Sequence, residues 1–141
     1  MRKINWLSVL LCSVFMSANA SGAWSVIKEG GFATSLDVNE KVAGLVTSIE
    51  GGGYAFGMRV TASTCDTSFE GKNMLLFVNK ERVWFNVNCN SKHITFTPVS
   101  DLDNDKVINV FKKERFIMIG EDENNYLMFD GDGFTQTLNS L

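Results

Sequence analysis

The chain has 141 residues, a formal net charge of −3 and three cysteines. This length is typical of one domain with one hydrophobic core. The mildly acidic balance argues against a nucleic-acid-binding protein and against attraction to an anionic membrane surface, since both favour a basic face.

The first twenty residues have the pattern of a signal peptide. Arg2 and Lys3 form a basic start, residues 6–16 are apolar, and Ala18-Asn19-Ala20 is a small-residue cleavage site. The apolar run is much shorter than the roughly 20 residues of a spanning helix, so we expect cleavage after Ala20 and no stable membrane insertion. The mature chain would begin at Ser21 in the periplasm or as a secreted protein. Its net charge would be −5, because the two basic residues are lost and all 16 acidic residues stay.

Two cysteines remain after cleavage, Cys65 and Cys89, and they allow one intramolecular pairing. In an oxidising compartment we expect a disulfide bond between them, which closes a loop of about 25 residues and contributes roughly 3 kcal/mol in the chain-entropy model. Free buried thiols and an intermolecular bond are the alternatives. Because no C-x-x-C or Cys/His spacing is present, the sequence predicts no zinc site.

The first half of the mature chain predicts four strands, since β-branched and aromatic residues recur between turn signals. They span residues 24–27, 32–38, 42–49 and 54–61. The glycine run at residues 51–53 allows a tight connection with positive φ. No Lys-Ser or Lys-Thr follows these glycines, so they do not indicate a phosphate-binding loop.

A polar stretch at residues 63–73 leads into three apolar runs, which we interpret as a β-meander at the centre of the sheet. The runs span residues 74–78, 83–87 and 94–96. Alternation in the second run places Trp84 on its less apolar face, opposite Val83 and Phe85. Trp84 is therefore expected either under the C-terminal helices, which we favour, or on a recognition surface.

The pattern changes from strand to helix after Pro98. Ser100 and Asp103 can form a capping box. Apolar residues then recur at near-helical spacing, namely Leu102, Val107, Val110 and Phe111. Aspartates at 101, 103 and 105 also match the first half of a calcium loop, but Lys106 and Lys112 stand where the second half needs glycine and glutamate. We therefore favour a helix start over a calcium site.

The C-terminal part predicts two more strands, residues 115–119 and 126–129, and a short helix that packs on the sheet through Phe134, Leu138 and Leu141. The expected fold is a single, mainly β domain over residues 21–141 with one or two short helices (α+β). Its strands form an antiparallel β-sandwich or a strongly curved sheet, with the C-terminal helices packed on it and one disulfide bond.

No catalytic constellation is visible in the sequence. His93 is the only histidine, and no serine lies in a Gly-x-Ser-x-Gly turn, so no triad is indicated. Paired carboxylates remain an alternative, because their partners are close in space rather than in sequence. We expect a protein without enzymatic activity and without a cofactor.

Several features occur in a characteristic order: Trp24 soon after the signal site, a β-rich middle, a helix near residues 107–113 and the ending Gly133 to Leu138. This arrangement resembles the invasion-associated locus B-like family of small exported bacterial proteins. The resemblance implies a β-sandwich-like envelope protein that acts by contact with other proteins.

The sequence thus favours an exported, non-catalytic protein-binding module. It would act as an inhibitor- or immunity-like protein, or would contact a host or envelope protein. The candidate contacts are Trp84, Glu121, Asp122, Glu123 and Tyr126. The acidic residues suit a basic partner such as a lysozyme-like enzyme. The alternatives are a small ligand carrier or carboxylate-based hydrolase of the cell envelope, and a structural subunit of an envelope assembly.

Overall fold

The computed structural model describes residues 23–61, 70–90 and 92–141. In chain order the strands are β1 (Ser25–Ile27), β2 (Phe32–Leu36), β3 (Val42–Ser48), β4 (Tyr54–Thr61), β5 (Asn73–Val78), β6 (Glu81–Cys89), β7 (His93–Pro98), β8 (Phe116–Asp122) and β9 (Asn125–Asp130). Helix α1 (Asp101–Lys113) lies between β7 and β8, and helix α2 (Phe134–Asn139) follows β9.

These strands form one curled, half-barrel sheet in the order β9-β8-β5-β6-β7-β4-β3-β2-β1, with every neighbouring pair antiparallel. The curl brings opposite ends of the sheet into contact, since the backbone N–H of Val38 donates to the carbonyl of Met128 at 2.8 Å. The predicted mainly β fold is confirmed. Of the two predicted arrangements, the described residues adopt the curved sheet and not a sandwich of two sheets.

Both helices pack against the concave face of the sheet, where the strands direct their apolar residues. Helix α1 contributes Val107, Ile108 and Phe111 to this core. Leu102, expected on the same helical face, is 67% exposed, because at 3.6 residues per turn it lies on the opposite side of the helix from Val107 and Phe111. An aromatic cluster with ring centroids 5.0–5.8 Å apart fills the space between helices and sheet: Trp24, Phe56, Phe111, Phe129 and Phe134.

The aromatic cluster depends on a glycine in β3. A Cβ at Gly44 would lie 3.0 Å from Cη2 of Trp24 and 3.2 Å from Cε1 of Phe129. Any larger residue would therefore push one of these rings away, so Gly44 sets how closely β9 approaches the middle of β3.

The N-cap of helix α1 is the predicted residue, Ser100. The Ser100 hydroxyl accepts the backbone N–H of Asp103 at 3.1 Å. The same hydroxyl donates to Oδ2 of Asp103 at 2.8 Å. Acidic residues lie in the first turn and basic residues in the last, which complements the helix dipole. Asp101 and Asp103 therefore stabilise the start of the helix.

Some predictions fall on parts of the chain that are not described. The predicted signal peptide, residues 1–20, and Cys65 lie outside the described residues. Cys89 is the last residue of β6, and its disulfide bond to Cys65 stays a prediction. Within the described ranges, neither helix has the length and apolar character needed to cross a membrane.

Candidate functional site

Trp84 lies on the convex face of the sheet, in the middle of β6, and its side chain is 47% exposed. Its neighbours in the strand, Val83 and Phe85, are fully buried, so the alternation of a strand directs the indole outward. The expectation that Trp84 lies under the C-terminal helices is wrong. Those helices cover the concave face, to which Val83 and Phe85 point.

Two further exposed apolar residues lie beside Trp84. Leu75 in β5 is its cross-strand partner and is 40% exposed. Val99, just after β7, donates its backbone N–H to the carbonyl of Trp84 at 2.9 Å and is 47% exposed. We call Leu75, Trp84 and Val99 the apolar patch. The sequence analysis named only Trp84, although alternation in β5 also places Leu75 outward.

The backbone N–H and carbonyl of Trp84 both point away from β5 and are hydrogen-bonded on that side. Its N–H donates to Oδ1 of Asp103 at 3.2 Å, and its carbonyl accepts the N–H of Val99. Because both polar groups point to this side, Leu75 and Trp84 form a non-hydrogen-bonded pair, in which opposing side chains approach most closely. The first turn of α1 therefore fixes the strand position from which the indole projects.

Asn104, the next residue of α1, extends this contact to β4. Its Oδ1 accepts the backbone N–H of Phe56 at 2.9 Å, and its Nδ2 donates to the carbonyl of Tyr54 at 2.7 Å. The pairing of β4 with β7 begins at Met58. The asparagine amide therefore takes the place of a paired strand at the start of β4.

The predicted acidic contacts lie together at the tip of the β8–β9 hairpin. Glu121 and Asp122 end β8, and Glu123 lies in the turn. All three are exposed, and Glu121 accepts a 3.3 Å hydrogen bond from Nδ2 of Asn125. We call Glu121, Asp122 and Glu123 the acidic hairpin. Tyr126 follows in β9 and is 43% exposed.

The acidic hairpin and the apolar patch lie on the same half of the sheet. Only β5 separates β6 from β8, so the strand that carries Trp84 is two strand spacings, or about 10 Å, from the hairpin. Phe77 of β5 pairs with Gly120 of β8. Because these strands are antiparallel, two residues before Phe77 lie opposite two residues after Gly120, so Leu75 is level with Asp122. The structure therefore places the predicted contacts on one half of the sheet, with Asp122 on the face of the apolar patch and Glu121, by alternation, on the opposite face.

An ion pair fixes the base of the same hairpin. Arg115 donates to Asp130 through Nε at 2.8 Å and through Nη2 at 3.3 Å. The hydrogen bond from Arg115 holds the pKa of the Asp130 carboxyl below its ordinary value, while partial burial opposes this effect. The pair ties the residue before β8 to the last residue of β9, at the opposite end of the hairpin from its acidic tip.

A polar depression of about 480 Å³ lies between the β5–β6 turn and α1. Its charged lining comprises Lys80, Glu81, Lys106, Lys113 and Glu114. Three lysines and two glutamates leave little net charge to select an ionic ligand. Across the described residues, no group of three His, Cys, Asp or Glu side chains is placed to hold a metal ion.

Comparison of the chain with protein-family models, curated proteins and solved structures finds no match. The resemblance to the invasion-associated locus B-like proteins therefore stays a prediction, and the geometry of the apolar patch and acidic hairpin carries the functional argument.

Proposed function

We propose that the protein is an exported, non-catalytic protein-binding module whose contact surface is the apolar patch together with the acidic hairpin. The observation that carries this proposal is the exposed indole of Trp84 between two other exposed apolar side chains. Tryptophan is among the residues that most often anchor protein interfaces, and such anchors lie near the centre of the contact with polar residues around them.

The charge around the patch suggests the character of the partner. The acidic hairpin lies on one side of the patch, and the predicted mature chain carries a net charge of −5. A partner with a basic contact surface would be attracted to this side and would associate faster at low salt. We therefore propose a basic envelope or host protein, such as a lysozyme-like enzyme, with this chain as an inhibitor- or immunity-like partner.

Recovery of the tagged protein from an envelope extract, followed by mass spectrometry, tests this function. Trp84→Ala should lose a partner that the unchanged protein retains, with an affinity loss of about 30-fold or more if the indole is an interface anchor. Leu36→Ala is the matched control, because Leu36 is 52% exposed on β2, four strands away from β6. The control should keep the partner.

Neutralising the acidic hairpin distinguishes the contribution of charge to partner binding from that of apolar contact. The triple change Glu121→Gln, Asp122→Asn and Glu123→Gln should slow association and reduce its salt dependence more than it speeds dissociation. A lysozyme-like enzyme is the first basic protein to titrate. A partner that binds Trp84→Ala as well as the unchanged protein would contradict the proposal, and so would a folded monomer that turns over an envelope substrate. An unfolded Trp84→Ala product would show that the residue is core.

A further inference from the structure

The concave side of the sheet contains an apolar cavity of about 220 Å³ at the end that the helices do not fill. Of the residues that the structure describes, eight line it with inward-facing apolar side chains: Val42, Met58, Val60, Met74, Leu76, Phe96, Ile119 and Leu127. Among the described residues, none from α1 or α2 contributes to this lining. Val60, Met74, Phe96 and Leu127 remain only half-buried, so the cavity leaves apolar surface in contact with water.

One side of the cavity is polar. Gly120, Glu121, Asn125 and Tyr126 complete the lining, and Glu121 is its one charged residue within the described part of the chain. The carboxylate of Glu121 accepts a hydrogen bond from Asn125 at 3.3 Å. A molecule in this cavity would therefore meet hydrocarbon over most of its surface and a carboxylate at one end.

We propose that this cavity binds a small amphiphile with an apolar body and an amine at the end that faces Glu121. The volume sets the size, because a dry apolar cavity of about 150 Å³ holds benzene, so 220 Å³ suits roughly nine non-hydrogen atoms. The apolar lining favours a ligand with an apolar body, because such a ligand would cover apolar surface that is now exposed to water. Met58 and Met74 are flexible side chains that adapt to the shape of such a ligand.

The cavity shares Glu121 with the acidic hairpin but contains no residue of the apolar patch. The cavity is bounded by the concave face of the sheet, whereas Trp84 projects from the convex face. Trp84→Ala therefore removes no residue of the cavity and should bind the amphiphile as the unchanged protein does.

Methionine methyl NMR of the purified chain gives a site-specific test. Met58 and Met74 line the cavity, whereas Met118 and Met128 face each other across β8 and β9 and do not line it. n-Octylamine, n-octanol and octanoate serve as probes of nearly equal size. We expect the methyl signals of Met58 and Met74 to shift and those of Met118 and Met128 to stay, with dissociation constants of about 0.1–1 mM for n-octylamine.

The charge of Glu121 should determine the relative affinities of the three probes. n-Octylamine should bind about fivefold more tightly than octanoate, and this ratio should fall with added salt, because an exposed ion pair is weak and screened. Glu121→Gln should bring the affinity for n-octylamine close to that for n-octanol and leave n-octanol binding unchanged.

Two phenylalanine substitutions in β4, one that fills the cavity and one that does not, test whether the probes bind inside it. Val60→Phe places a ring in the cavity and should weaken all three probes at least tenfold. Thr61→Phe adds a ring at the next residue of β4, whose side chain is exposed, and should change binding less than twofold. Circular dichroism confirms that both variants are folded before titration.

Four results would overturn the proposal. They are an absence of shifts at Met58 and Met74 up to the solubility of every probe, equal shifts at all four methionines, full binding by a folded Val60→Phe, and octanoate binding at least as tight as n-octylamine. The first three reject the cavity as a ligand site, and the last rejects the amine.

Discussion

Asn104 offers the sharpest test of how the first turn of α1 holds the sheet. Replacement by alanine removes two hydrogen bonds, from the N–H of Phe56 and to the carbonyl of Tyr54. Both bonds are partly buried, so each backbone group left without its partner costs about 1 kcal/mol, the lower end of the range for buried groups. Alanine gains about 0.5 kcal/mol in helix propensity. The free energy of unfolding should therefore fall by about 1.5 kcal/mol.

Asn109 is the matched control, because it lies in the same helix and is exposed. Asn109→Ala has the same propensity gain and should raise the free energy of unfolding by about 0.5 kcal/mol. Urea unfolding followed by circular dichroism measures both variants, and the difference between them should be about 2 kcal/mol. If the free energies of unfolding of the two variants agree within about 0.5 kcal/mol, Asn104 does not replace a paired strand at the start of β4.

Three further predictions use the same unfolding assay. Gly44→Ala should destabilise the fold by about 1–3 kcal/mol, because its Cβ would press on two core rings, whereas Gly57→Ala, whose Cβ would meet its neighbours at 3.6 Å, should cost less than 1 kcal/mol. Arg115 lowers the pKa of Asp130 in the folded protein. The ion pair therefore stabilises the fold fully above the pKa of Asp130 in the unfolded chain, and this stabilisation is lost as the pH falls through the pKa of Asp130 in the folded protein. The difference in stability between the unchanged protein and Asp130→Asn should therefore shrink below about pH 4, whereas an unchanged difference would contradict this assignment. Finally, intact-mass analysis of the protein recovered from an envelope fraction should show an N-terminus at residue 21 and no free thiol, and reduction should lower the free energy of unfolding by about 3 kcal/mol. Two titratable thiols would refute the disulfide bond.

Local patterns predicted the secondary structure well. Alternation of apolar and polar residues identified the meander that became β5, β6 and β7, which are neighbours in the sheet. The N-cap was also readable, because Ser100 followed by Asp103 is a local signal whose hydrogen bonds form within one turn. Such signals depend on residues a few positions apart, so they survive in a sequence without structural information.

The functional surface could not be predicted in the same way. Alternation shows that Trp84 and Phe85 lie on opposite faces of β6, but the face that receives the helices depends on the direction in which the whole sheet curls. Leu75 and Val99 join Trp84 only through pairing across strands. The cavity is less visible still, since its lining comes from six different strands. These features follow from long-range pairing, for which the sequence has no short signal.

The exposure of Trp84 is a consequence of the fold and not of a loose sheet edge. Because side chains alternate with a period of two, a shift of β6 by one residue would bury the indole but would expose Val83, Phe85 and Val87, all now at most 1% exposed. Exposing each of these would cost about 1.5–3 kcal/mol, more than burial of one indole would regain. Burial of these core residues therefore keeps Trp84 exposed to solvent in the unbound protein. A partner that covers the apolar patch can bury this indole without any rearrangement of the sheet, which is the physical basis of the proposed binding function.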